Sequence, residues 1–216
     1  MEKNREKTRA SILAAVGKLL ARDGFRDLGI NAIAREAGVD KVLIYRYFGG
    51  MEDLLKAYAA EGDFWPSSAE IMAAVRRSKP KNEAELAAAL LIEFERALRR
   101  RPLTQEIMRW ELMERNELTD TLARYREEES AKTLQLLSGV GMVDVAAIAS
   151  LLAAGHTYLI LRKKTVGVYN GLQLDEERDW ERLEDATRTL VALALGETAP
   201  KPRTAKAPLP RKSSAK

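Results

Sequence analysis

Apolar positions recur along this chain at helical spacing over most of its length. Ile12, Val16, Leu19 and Leu20 fall on one stripe, which predicts a first helix from about Arg5 to Arg22 with Gly24 as its stop. Ile30, Ile33, Ala34 and Ala37 mark a short second helix, Gly38 supplies a left-handed end, and Asp40 is placed to cap a third. On that third segment, about residues 40–48, Val39, Ile44 and Phe48 lie roughly a turn apart and point inward. After Gly49-Gly50 a fourth helix is predicted to about Glu61, with Glu52 and Asp53 in its first turn, where carboxylates favour the helix dipole.

Residues 62–66 break the pattern, and Ser67 with Glu70 has capping-box spacing. The same periodicity then predicts helices over about 68–78, 83–100 from an Asn82 cap, 103–115, 118–138, 144–165 and 176–195. Pro80, Pro102, Gly139-Val140-Gly141 and Gly167 to Gly171 punctuate them, and no strand is expected. Short loops between amphipathic helices favour antiparallel packing over a sheet. The expected class is all-α: a helix-turn-helix domain over 1–61, a helical bundle over 62–196, and a Pro-, Ala-, Lys- and Ser-rich tail over 197–216 expected to be disordered.

A helix-turn-helix offers its second helix to the major groove. With Ile44 and Phe48 inward, Lys41, Val42, Tyr45 and Arg46 face out, and Leu43 and Tyr47 lie at the edges. The cations suit phosphates or guanine edges, the tyrosine hydroxyls suit phosphate oxygens, and Val42 and Leu43 suit thymine methyls. The same pattern also describes an ordinary helical hairpin whose aromatic residues are core.

The segments Ile33-Ala34 through Ala37-Gly38-Val39, Ile44-Tyr45-Arg46-Tyr47-Phe48 and Glu52-Asp53-Leu54-Leu55 resemble the amino-terminal domain of TetR-family transcriptional regulators, over roughly residues 5–60. The resemblance implies that Tyr45 and Tyr47 touch the DNA backbone and that Lys41, Val42 and Leu43 lie against base edges. Three positions depart from the family pattern: Gly29 where a threonine is common, Val42 where a small residue is common, and Met51 where a phosphate-binding lysine is common. Lys41, Arg46 and Lys56, or the basic ends of the chain, are the candidate compensating charges.

Composition narrows the chemistry. The 216 residues contain no cysteine and one histidine, so disulfides, thiolate sites and a histidine metal cluster are not expected. No nucleophile elbow, paired zinc-binding histidines or phosphate loop occurs, and Gly139-Val140-Gly141 lacks the Lys-Ser or Lys-Thr that a phosphate cradle needs. No catalytic residue, metal or cofactor is assigned. The amino terminus lacks an apolar signal core, and no run of eighteen uninterrupted apolar residues is found, so a cytoplasmic protein with no membrane partner is expected. The net charge of +4 divides into +3 over 1–58, −4 over 59–196 and +5 over 197–216. Basic ends around an acidic body suit contact with nucleic acid at the ends, the tail serving as a sequence-blind arm.

Residues 145–155 are apolar nearly all round with many small side chains, and the last helix carries Trp180, Leu183, Ala186, Leu190, Val191 and Leu193. By the resemblance these two helices form the two-fold seam of a homodimer, which sets two reading helices one DNA turn (~34 Å) apart on a palindromic operator. The resemblance also implies a body cavity for a small-molecule effector that releases the DNA. Phe94, Met108, Trp110, Met113, Tyr125, His156 and Tyr158 are candidates to line it, with Trp110 and His156 as the ligand contacts. Glu127-Glu128-Glu129 reads as a solvated face, and Arg99-Arg100-Arg101 as cations favoured at a helix carboxyl end. The competing functions are an enzyme, for which no motif speaks, and a helical partner-binding protein that has lost specific DNA reading.

Overall fold

The computed structural model describes residues 2–25, 27–61, 64–113, 115, 117–137, 144–198 and 200. About three quarters of the described residues are helical. Ten helices occur among the described residues: α1 Glu2–Asp23, α2 Ile30–Ala37, α3 Lys41–Phe48, α4 Met51–Glu61, α5 Ser68–Ser78, α6 Glu83–Arg99, α7 Pro102–Glu111, α8 Glu117–Gln135, α9 Val145–Arg162 and α10 Glu177–Ala194. Their bounds follow the apolar periodicity closely, with local chemistry setting several ends. Asn82 Oδ1 accepts from Glu85 N at 2.8 Å to start α6, and Asp144 Oδ1 accepts from Ala147 N at 3.0 Å to start α9. Pro102 opens α7, and the Gln105 side chain donates to the carbonyls of Leu98 and Arg99, closing α6.

The chain forms two compact units, one of Met1–Ser68 with Ala97–Thr133 and one of Ala69–Arg96 with Leu134–Lys216. The head expected over 1–61 is therefore only part of the first unit, because packing continues through the break in periodicity. Phe64 and Trp65 are buried there, and Thr104 Oγ1 donates to Phe64 O at 2.6 Å. The Ser68 amide, at the start of α5, donates to Glu129 at 3.1 Å. Glu129 is thus buried and also paired with Lys132, so the acidic run is not wholly a solvated face. Arg101 likewise turns back into its unit and donates to Ala97 O at 3.0 Å. The core of the first unit is built on Ile12, Val16, Leu20, Ile33, Ile44, Leu54 and Leu55, that of the second on Ile71, Val75, Leu90, Ile160, Leu174 and Trp180.

The expectation of no strand is corrected between α9 and α10. β1 Val168–Tyr169 and β2 Leu172–Gln173 pair antiparallel, Val168 with Gln173 and Tyr169 with Leu172. Asn170 and Gly171 carry φ of 47° and 82°, the left-handed pair of a type I′ turn, which is the strongest short-range hairpin signal an Asn-Gly can give. The hairpin is anchored by Asp179, which accepts from Gln173 N at 2.7 Å, and by Trp180, whose indole donates to Leu174 O at 2.8 Å. Residues 139–141 and the tail from 201 onward lie outside the described residues.

Candidate nucleic-acid interface

The helix-turn-helix begins at Gly29, whose backbone is extended (φ −154°, ψ 162°) and which gives α2 no side-chain cap. Ile33 and Ala34 turn α2 inward, and Ile30 and Ala37 are half-buried beside them. Gly38 ends the helix in the left-handed region at φ 67°, and Val39 N donates to Ala34 O at 3.0 Å, satisfying a carbonyl that the helix end would otherwise orphan. Asp40 then caps α3, its carboxylate accepting from Val42 N at 2.8 Å.

Eight residues are too few for a helix to be stable by propensity, so α3 is held by its buried side. Ile44 and Phe48 are buried; Lys41 and Arg46 are exposed, Val42 is 62% and Tyr45 53% exposed, and Leu43 and Tyr47 are half-buried. Of the six residues proposed from sequence, four are thus exposed and two half-buried. Among the described residues neither Lys41 nor Arg46 has an ion-pair partner, so both charges face outward uncompensated. Lys56 does not belong with them. It pairs on α4 with Glu52 at 2.8 Å and Asp53 at 3.7 Å, and its hydrogen bond to Glu52 raises the ammonium pKa above its ordinary value.

Helix α1 braces this unit from behind. Ser11 Oγ donates to Ala37 O at 3.2 Å, at the end of α2. The Arg5 guanidinium lies over the Tyr47 ring at 5.7 Å and that of Arg9 over the Phe48 ring at 4.8 Å, while Arg9 also pairs with Glu61 at the end of α4. Sequence reasoning gave Arg9 no role, because its partners lie 39 and 52 positions away and no local pattern marks them.

The two ligand candidates fall in different units, each with partners inside its own. Trp110, half-buried on α7, packs its ring against the backbone of Gly24, where a Cβ would come within 2.7 Å of Cδ2. His156 is buried on α9, with Nε2 3.0 Å from Thr187 Oγ1. The Thr187 hydroxyl also donates to Leu183 O at 3.0 Å. Nδ1 is buried without a hydrogen bond, 4.0 Å from the Glu95 carboxylate. Burial lowers the His156 pKa, against a smaller opposing pull from Glu184, and keeps the ring neutral. Of the remaining candidates, Met113 is exposed, and Tyr158 meets Tyr169 of the hairpin edge-on at 5.6 Å.

The second unit has instead an open apolar hollow, with Ala87 and Leu91 of α6, Val145 and Ile148 of α9, and Val191 and Leu195 at the end of α10 among its lining. Its cavity volume is only about 10 Å³, far below the roughly 300–1,000 Å³ of drug-sized ligand sites. Helix α9 is long and apolar enough to cross a membrane by length and composition alone, although Ser150, Gly155, His156 and Thr157 interrupt its apolar run. Only 22% of it is buried within the chain. Leu151 on α9 is 76% exposed, and Leu190 and Leu193 on α10 are 52% and 58% exposed.

Residues 12–58 match the family model for bacterial regulatory proteins of the tetR family. No curated protein matches the chain. Among solved structures, a TetR-family transcription regulator from Marinobacter aquaeolei VT8 is similar at 20% identity, covering 86% of this chain and 98% of its own, with a TM-score of 0.59. The fatty acid degradation regulator FadR from Bacillus halodurans shares 18% identity over 84% of this chain and 96% of its own, with a TM-score of 0.60. A TetR-family regulator from Streptomyces coelicolor shares 19% over 90% and 97%, with a TM-score of 0.57. At these identities the likeness is one of fold.

Proposed function

We infer that this chain, a TetR-family DNA-binding transcriptional regulator, works as a homodimeric repressor that grips a palindromic operator with two copies of α3 and releases it when a small molecule binds the body. The carrying observation is the division of α3 into a buried side, Ile44 and Phe48, and a presenting side of Lys41, Val42, Leu43, Tyr45, Arg46 and Tyr47. On this reading the two cations and two hydroxyls meet phosphates and base edges, while Val42, branched and largely exposed, presses on a thymine methyl.

One copy of so small a unit touches few base pairs, and pairing supplies the second half-site. The exposed Leu151 on α9 and Leu190 and Leu193 on α10 support the pairing, because exposed large apolar side chains that cluster mark surfaces a partner covers. The effector enters the helical body; the apolar hollow among α6, α9 and α10 supports an apolar ligand, one that widens the hollow as it binds. It relieves repression to the extent that it prefers the state unfit for DNA. On this reading the protein acts in the cytoplasm, beside the chromosome.

The test is selection of bound duplexes from random sequence, followed by titration of the winner at several salt concentrations. An inverted repeat should emerge, with affinity falling ~10³-fold or more between 50 and 200 mM salt. Tyr45→Ala and Lys41→Ala should each weaken binding ~10-fold, Lys41→Ala also flattening the salt dependence. Enrichment of no sequence, or indifference to both substitutions, would overturn the assignment.

A further inference from the structure

We propose that Arg9 on α1 is a positioning residue for DNA reading: its guanidinium is shared between the last residue of α3 and the last residue of α4, and it sets the pose in which α3 meets the duplex. The proposal rests on the DNA-reading function above. Both oxygens of Glu61 accept from Arg9, Oε2 from Nη1 and Oε1 from Nη2, the latter at 2.8 Å. A two-pronged pair fixes the plane of a guanidinium as well as its place. Cζ so held stands 4.8 Å from the centroid of the Phe48 ring, within the range of cation–π attraction.

Phe48 is the buried residue by which the carboxyl end of α3 enters the core, three positions beyond Tyr45 and adjacent to Tyr47. One turn earlier on α1, Arg5 covers the Tyr47 ring, and half a turn later Ser11 holds the end of α2. The first half of α1 therefore meets the carboxyl ends of α2, α3 and α4, Ser11 doing so from the side of the helix away from Arg9. Arg9 alone among these side chains joins two of them.

A direct contact with DNA is the competing role for an arginine here, and the geometry speaks against it. Both terminal nitrogens are engaged by a carboxylate, and the side chain is 32% exposed, whereas Lys41 and Arg46 carry outward charges with no ion-pair partner among the described residues. Arg9 acts through Phe48 on the presentation of Tyr45 and its neighbours. A tilt of so short a helix displaces every contact on its outer face together, and contacts misplaced by an ångström lose most of their value.

Full-length Arg9→Met, Glu61→Gln and the double variant are titrated with a duplex enriched by the wild type, across a salt series, alongside melting curves and the active fraction. Methionine keeps the apolar stem and removes the fork; glutamine leaves Arg9 over Phe48 but weakens its hold, and serves if Arg9→Met folds poorly. We expect ~10-fold weaker binding for Arg9→Met and ~3-fold for Glu61→Gln, with the double variant no worse than Arg9→Met and all salt slopes unchanged. A salt slope reduced by about one would make Arg9 a phosphate contact. Unchanged affinity per active molecule with lower melting would make it a structural brace, and additive losses would separate the two partners; each result overturns the proposal. A wild type that enriches no duplex instead removes the DNA-reading function on which it stands.

Discussion

Two glycines replaced by alanine separate the cost of a left-handed helix stop from the cost of a blocked neighbour. Gly38 and Gly24 stop α2 and α1 at almost the same φ, 67° and 71°. A Cβ in that region costs roughly 1–2 kcal/mol. About 0.4–1 kcal/mol returns through the stiffer unfolded chain, leaving a net loss on the order of 1 kcal/mol at either site. At Gly38 the new Cβ meets no atom within 4 Å. At Gly24 it would come within 2.7 Å of Trp110 Cδ2 and 2.9 Å of Cε3, so the ring or α7 must move. Overpacking of that kind adds roughly 1–3 kcal/mol. Gly24→Ala should therefore cost about 2–4 kcal/mol against about 1 kcal/mol for Gly38→Ala, read from urea midpoints at unchanged m. In a Trp110→Leu background the two should cost nearly the same. Equal costs in the wild-type background would refute the packing of Trp110 against α1 and restore it as a ligand contact.

Gly29→Ser supplies the missing cap of α2 at a position whose extended backbone suits any residue and where a Cβ meets open space, so stability should rise by about 0.5–1 kcal/mol and Tm by ~2 °C. A lower Tm would show that the α2 terminus is already satisfied. His156, the single histidine, has its pKa lowered by burial, so the unfolded chain binds the proton first as pH falls. Its contribution is complete above about pH 6.5 and declines below it, by at most about 1.4 kcal/mol per pH unit. His156→Gln should be less stable at pH 8 but lose less between pH 7 and 5.5; parallel loss in the two proteins would refute a buried neutral ring, since Glu111, whose raised pKa acts with the opposite sign, is common to both. Leu151→Glu or Leu193→Glu should convert a sedimenting dimer to monomer at micromolar concentration, and a persisting dimer would place the seam elsewhere.

Much of the candidate surface on α3 was legible because short helices have few ways to lie. Once Ile44 and Phe48 are committed to the core, a 3.6-residue repeat sends Lys41, Val42, Tyr45 and Arg46 outward, and the structure keeps them there. Gly38 and Asp40 announce the turn through backbone chemistry that needs no distant partner. The Asn170-Gly171 hairpin was equally local and was missed, because strands of two residues give no alternation to notice. Trp110 and His156 looked alike as candidates, yet one packs on the glycine that stops α1 and the other sits in a polar cluster with Thr187 and Glu95.

The sequence by itself determined where helices start and stop, which side of each is apolar, and which charges crowd the third helix; these follow from hydrogen bonds and side-chain spacing within a turn or two. Tertiary structure decided which partners meet. That Arg9 seats Phe48, that Glu129 takes the amide of Ser68 and that α7 packs with the head all depend on segments distant in the chain. Periodicity says which face of a helix is buried but not what buries it, since apolar attraction is non-directional and many pairings satisfy the same stripe. Only the simultaneous packing of all the helices selects one of them.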